Sequence, residues 1–251
     1  MKMPRQVRKI SSTGMYHIMI RGINKEPIYL GNRDNQRFLE ILKSNKERNE
    51  FELYAYCLMK NHAHFLMKEH HISISVIMKE ICGKYGNWFN HVHERTGHVF
   101  QDRFRSECVE TDLYFQTVFR YILNNPVKGK LVEKPEDYPW SSCNEYLSGK
   151  GRLTDTHVVL SMLDERKDEA LWKLKRALHR DDTIQDIVYL NVDRKRRSDQ
   201  DALQIIEQML KQWHIPDPLH LNHMERELVI GHLLAQGLTK RQCRGIGDGN
   251  L

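Results

Sequence analysis

The sequence has no Cys-x-x-Cys pair. Its five cysteines, Cys57, Cys82, Cys108, Cys143 and Cys243, are odd in number and scattered. Neither a disulfide framework nor a thiolate zinc knuckle is implied, and a reducing, cytoplasmic setting fits best. Proline and glycine are sparse, at 7 and 14 of 251 residues, which excludes collagen-like and low-complexity chains. No run of 18 apolar residues occurs, so a membrane span is not expected. The basic start, Met1-Lys-Met-Pro-Arg, leads into no apolar stretch of the kind an export signal carries. Internal repeats are also missing.

What is present is ordinary globular composition, 40% hydrophobic and 29% charged, enough for one large domain or a medium domain with a smaller one. The formal charge of +6 is unevenly placed. Residues 1–150 hold 23 Lys and Arg against 17 Asp and Glu, whereas residues 151–251 hold 16 of each. The whole excess lies in the first part. A basic surface favours a polyanion, because bound cations release counterions from phosphates; the alternative is a solubilising charge of common size.

Period-two and period-3.6 patterns order the elements. Met15–Ile20 reads as a strand, 33–48 as a helix, and 51–59 and 62–68 as paired strands broken at Asn61. A long helix over 73–95 carries Ile74, Ile77, Met78, Ile81, Tyr85, Trp88, Phe89 and Val92 on one stripe. A strand over 99–110 follows, then a helix capped by Thr111 and ending near Asn124, before Pro126. This βαββαβα order predicts an α+β fold: a ferredoxin-like, mostly antiparallel sheet with helices on one face. The Pro- and aromatic-rich segment 135–142 is expected to wrap back over it. Composition changes near Gly149-Lys150-Gly151, which places a domain boundary near 150. Helices are expected at 155–180, 199–213 and 224–236 in a smaller helical region, 151–251.

Two short motifs carry chemistry. His62 and His64 stand two apart on a strand, so both imidazoles share a face and can hold one metal ion, while Ala63 faces the core. The alternative is a pair of surface histidines. A second His-x-His, His91 and His93, sits on a helix, where i and i+2 diverge by about 200° and cannot easily share an ion. Tyr121 and Asn125 are four apart and share a helix face. A tyrosine near a metal can attack phosphorus, and the amide can add an oxygen ligand. The alternative is a packing tyrosine with a C-capping Asn125.

Five blocks in order, Tyr16-His-Ile-Met-Ile-Arg-Gly22, Tyr56-Cys-Leu-Met-Lys-Asn-His62-Ala-His64, Gly97-His-Val-Phe-Gln-Asp-Arg103-Phe, Tyr121-Ile-Leu-Asn-Asn-Pro126-Val and Asp137-Tyr-Pro-Trp140-Ser-Ser, resemble the single-tyrosine transposases of the HUH superfamily. The branch most like it is the REP-associated tyrosine transposases, and the resemblance spans about residues 14–147. It implies His62 and His64 as metal ligands, Tyr121 as nucleophile and Asn125 as the polar helix residue completing the site. It further implies Mg²⁺, with Mn²⁺ able to substitute, and single-stranded, hairpin-bearing DNA cut and rejoined through a 5′-phosphotyrosine. Lys60 stands where relatives often have proline, which affects only the turn, and Ala63 is small for the middle position.

Arg21, Arg103 and Arg105 are candidate phosphate contacts, with Lys2, Arg5, Arg8 and Lys9 as a basic arm; the alternative for each is a solvated charge. Tyr114 is the rival nucleophile, Tyr85 reads as core, and Trp140 either stacks on a base or anchors the returning segment. Gly237-Leu-Thr-Lys-Arg-Gln242 looks like the first half of a helix-turn-helix, but no recognition helix can follow before Leu251. Arg194-Lys-Arg-Arg197 fits either a phosphate contact or a solvated linker. The expected protein is a DNA transposase acting as monomer or homodimer without a membrane. Its rivals are a domesticated DNA-binding protein without turnover and a metal-dependent nuclease using water.

Overall fold

A computed structural model describes residues 8–148, 152–179 and 199–212, together with positions 215, 229, 230, 233, 238, 242 and 243. Four strands, β1 (Met15–Arg21), β2 (Glu52–Met59), β3 (His62–Lys68) and β4 (Arg105–Cys108), form one sheet in the order β2-β3-β1-β4. Every neighbouring pair is antiparallel. Helices α1 (Asn32–Asn49) and α2 (Ile74–Val92) follow β1 and β3. The ferredoxin-like βαββαβ arrangement expected from the pattern is therefore present.

The alternation of β1 explains its two faces. Tyr16, Ile18 and Ile20 point to the side covered by α1 and α2, where they join Phe38, Leu42, Phe65, Ile77, Ile81 and Phe89 in the main core. Tyr85 belongs there as read: its ring is fully buried and its hydroxyl donates to the Ile28 carbonyl. Ala63 lies in the same core. At the end of α2, His93 bonds Asp34 of α1 at 3.0 Å, so this half of the second His-x-His serves helix packing, whereas His91 is exposed.

The opposite face is not open, as helices on one face alone would leave it. Helix α3 (Asp112–Lys128) crosses it and packs on β2 and β3. Thr111 caps α3 as expected, accepting from the Tyr114 N–H at 3.2 Å. The predicted end near Asn124 is too early: α3 runs through Pro126 to Lys128. Pro126 falls in the last turn, so its missing N–H removes a single bond to the Ile122 carbonyl. Strand β4 is shorter than the predicted 99–110. Residues 99–104 are irregular; the Gln101 N–H donates to the Arg21 carbonyl at the end of β1, and a Gly22–Phe100 bridge lies just beyond it.

Segment 135–142 runs along the free edge of β2. Leu58 N–H donates to the Trp140 carbonyl and Ser142 N–H to the Tyr56 carbonyl, both within 3.0 Å, and the Tyr138 hydroxyl reaches the Leu58 carbonyl. These bonds cover an edge that would otherwise invite pairing with another chain. Trp140 packs against the core as an anchor of this segment.

The chain divides into two compact units, Met1–Asp182 and Thr183–Leu251, later than the boundary expected near 150. The reason is docking. Asp155 accepts from the Leu53 N–H of β2 at 2.8 Å and pairs with Lys46 of α1 at 2.7 Å. Helices α4 (Cys143–Leu147), α5 (Thr156–Leu163) and α6 (Lys167–Leu178) thus belong to the first unit, with two helices where one was predicted over 155–180. In the second unit, α7 (Asp199–Gln212) buries Ala202, Ile206 and Met209 with Val229, Leu233, Leu238 and Cys243. The expected helix at 224–236, the half helix-turn-helix and Arg194–Arg197 lie wholly or largely outside the described residues.

Candidate active site

Paired residues on antiparallel strands project to one side, so the ladder fixes what meets under α3. Arg21 pairs with His62; Met19 pairs with His64 on one side and Arg105 on the other; His17 pairs with Leu66 and Glu107. His62 and His64 share a face as period two predicts, their ring centroids 5.2 Å apart. From α3, the Tyr121 ring stands edge-on to His64 at 5.3 Å and to His17 at 5.8 Å. Asn125, one turn on, stands close enough to Tyr121 and His62 to influence both. Lys128 Nζ lies 5.1 Å from the Tyr121 ring centre, within cation–π range.

The cluster is deeply placed. His17 and His64 are fully buried, Tyr121 is 4% exposed and Asn125 6%, whereas His62 is half-buried and forms the open side. Burial holds His62 down at about 4, against the pull of the Asn125 side chain and with Arg21 adding to the shift. Burial also holds His64 well below its ordinary value, with His17 and His62 pushing the same way. Both rings are therefore neutral at pH 7 and can donate lone pairs. Burial pushes the Tyr121 phenol up to about 12, partly offset by the Asn125 side chain, so the hydroxyl keeps its proton at neutral pH.

Hydrogen bonds on the far sides of the rings test whether a metal fits. His62 Nδ1 lies 2.7 Å from Asn61 Oδ1, which can only accept, so Nδ1 carries the proton and Nε2 has the lone pair. His64 Nδ1 lies 3.1 Å from His17 Nε2, and His64 Nε2 is buried without a protein partner. A buried nitrogen of this kind is costly unless a ligand meets it. Two neutral imidazoles and an amide oxygen fit a divalent cation and leave positions for phosphate and water oxygens, as a catalytic site requires. Among the described residues no group of three or more His, Cys, Asp and Glu side chains could hold an ion without such help.

Residues 10–125 match the family model for IS200-like transposases. That match covers just under half of the chain's 251 residues. A Haemophilus influenzae protein described as a REP-associated tyrosine transposase is 26% identical over 148 residues, covering 54% of this chain and 82% of that one. The solved structure of a REP-associated tyrosine transposase bound to a REP hairpin superposes with a TM-score of 0.51 at 22% identity, covering 61% of this chain and 94% of that one. That likeness establishes the shared fold. No described helix is long and apolar enough to cross a membrane.

The candidate basic residues are spread unequally. Arg21 stands beside His62 at the open side, and its Nε is buried without a partner. Arg105 is exposed on β4, in the ladder row of His64. Arg103 is exposed in the turn before β4. Arg8 is not part of a free arm: it lies 3.5 Å over the Phe104 ring and bonds the Phe104 carbonyl and Ser75 Oγ. Lys9 is exposed, and Lys2 and Arg5 lie outside the described residues. Tyr114 donates to Glu107 at 2.8 Å, at the His17 end of the face, so Tyr121 is the tyrosine at the His62–His64 end. Sequence reasoning missed His17, Asn61 and Glu107 as members of the cluster. The available signal for His17 was a polar residue at an alternate position of a strand whose other face is wholly apolar.

Proposed function

We propose that the chain is a single-tyrosine DNA strand transferase that cuts and rejoins hairpin-bearing single strands. The observation that supports it best is the meeting of Tyr121 and Asn125 from α3 with His62 and His64 from β3, within one chain. A monomer therefore holds the complete set, and a homodimer would hold two.

His62 Nε2, His64 Nε2 and Asn125 Oδ1 would hold a divalent cation, Mg²⁺ with Mn²⁺ able to substitute. That ion supplies Lewis-acid polarisation of a non-bridging phosphate oxygen and favours the phenolate. Arg21, beside His62, offers its charge to the same phosphate. The Tyr121 oxygen turns from Asn125 to the phosphorus and attacks in line, losing its proton to water. The Oη–P bond forms as the P–O3′ bond breaks, and the departing 3′-oxygen takes up a proton. The 5′-phosphotyrosine keeps the ester, so a second 3′-hydroxyl can reverse the step on another strand without a high-energy cofactor. The hairpin assignment draws on the relative bound to a REP hairpin and on the net positive charge carried by residues 1–150.

The burial of Tyr121 favours one rival, a DNA-binding protein without turnover. A labelled hairpin oligonucleotide incubated with protein and Mn²⁺ separates the readings. A detergent-stable adduct is expected from the native chain and none from Tyr121→Phe. An adduct that survives this change moves the nucleophile to Tyr114. A gel shift with no adduct supports the binding protein, and cutting without retained DNA supports a water-using nuclease.

A further inference from the structure

His17 lies at the centre of β1, fully buried, on the face beneath α3. Its ring meets two members of the site: His64 at 5.3 Å between centroids and Tyr121 at 5.8 Å. A buried histidine in an otherwise apolar strand interior costs free energy unless its nitrogens are used. One of them is used, by the 3.1 Å contact between His17 Nε2 and His64 Nδ1. The other, Nδ1, is buried without a partner.

The contact allows two proton arrangements. If His17 Nε2 carries the proton and donates it, His64 must carry its own proton on Nε2, the nitrogen that faces the site. No lone pair then remains there for an ion. If His64 Nδ1 donates to His17 Nε2, the site-facing Nε2 presents its lone pair. Asn61 does the same for His62 by accepting from Nδ1. The two ligand rings are thus backed by two different acceptors, one an adjacent amide and the other an imidazole from the neighbouring strand.

We infer that His17 is a positioning residue for the metal site: it accepts the Nδ1 proton of His64, fixes that ring's tautomer and plane, and steadies the edge against which Tyr121 packs. This rests on the metal reading of the proposed function. Outer partners of this kind set ligand orientation and basicity, and their loss typically weakens metal binding by about 10–100-fold.

The test uses the full chain and Mn²⁺ binding followed by electron paramagnetic resonance, without DNA. His17→Phe keeps a ring of similar breadth but no acceptor, and is expected to weaken Mn²⁺ binding by about 10–100-fold. His17→Gln places an amide oxygen near the lost nitrogen and is expected to recover much of it. Long-range ¹H–¹⁵N spectra of the Mg²⁺-loaded native protein are expected to show both His17 and His64 protonated on Nδ1. Native affinity in His17→Phe, equal weakening in both variants, or a His17 protonated on Nε2 would each overturn the inference. If His62→Ala and His64→Ala bind Mn²⁺ as the native chain does, the metal reading itself fails. If those two lose Mn²⁺ while His17→Phe does not, only the role of His17 fails.

Discussion

Two histidines are buried and a third, His62, is half-buried beside them, and each would lose much of its hydration while charged to hold a proton. His17 is pushed down to about 3 and His62 to about 4, in both cases first by burial, and His64 falls well below its ordinary value for the same reason. An unfolded histidine takes up its proton near 6.5. Between that pH and the folded values the unfolded chain binds more protons, so stability falls as pH falls. The loss is about 1.4 kcal/mol per pH unit for each such ring. Urea midpoints at pH 7 and pH 5 should show this loss, and equal midpoints would contradict the burial of the cluster. Tyr121→Phe removes a hydroxyl beside Asn125 and should cost about 1 kcal/mol. A thermal melt that shows far more than this would make the loss of adduct a folding effect. At this scale His62, His64, Tyr121 and Asn125 were legible, because spacings of two on a strand and four on a helix bring side chains to one face. His17 was not, because the partner that gives it meaning lies 47 residues away.

Elements owe their limits to a few contacts. The turn after β1 requires Gly22 for close approach. Its N–H donates to the Asn61 carbonyl at 2.9 Å, and a Cβ built there would stand 2.1 Å from the Glu26 carbonyl oxygen. Gly22→Ala must shift backbone beside Arg21 and His62, at an expected cost of about 2–4 kcal/mol. An unchanged melting temperature would show that the turn yields freely. On α4, buried Glu145 accepts from the N–H groups of Arg152, Leu153 and Thr154, the Thr154 hydroxyl and the Tyr56 hydroxyl. Burial alone would raise its pKa, but these bonds outweigh it and hold the carboxylate below the usual range. The stability it gives is present above the unfolded carboxylate pKa and is lost as pH falls through the folded one. Glu145→Ala should cost about 2–4 kcal/mol, read as a lower urea midpoint at pH 7. Strand and helix positions through α2 followed from periodicity. The end of α3 did not, because a proline in a last turn costs only one bond, and packing against the sheet outweighs it.

At the scale of the whole molecule, the first unit, Met1–Asp182, holds the sheet, the strap over β2 and the entire candidate site. A fragment of residues 1–182 should unfold cooperatively and still form the adduct. A fragment that folds but forms none would place a needed part in residues 183–251. Ending the fragment at 150 should instead cost stability, because Asp155 then no longer ties Leu53 and Lys46. Composition pointed to 150 since it registers only where charge balance changes. Docking of α5 onto β2 leaves no mark in composition.

The sequence by itself determined which side of each element is apolar, that one strand offers two imidazoles to one face, and that one helix offers a phenol and an amide to one face. These are local properties, set by repeats of two and 3.6 residues. Only the tertiary structure decided that the two faces meet. The order β2-β3-β1-β4 sets β1 between the ligand strand and the last strand, and α3 returns across that side of the sheet. That choice depends on the summed burial of residues far apart in the chain, and it alone puts His17 behind His64.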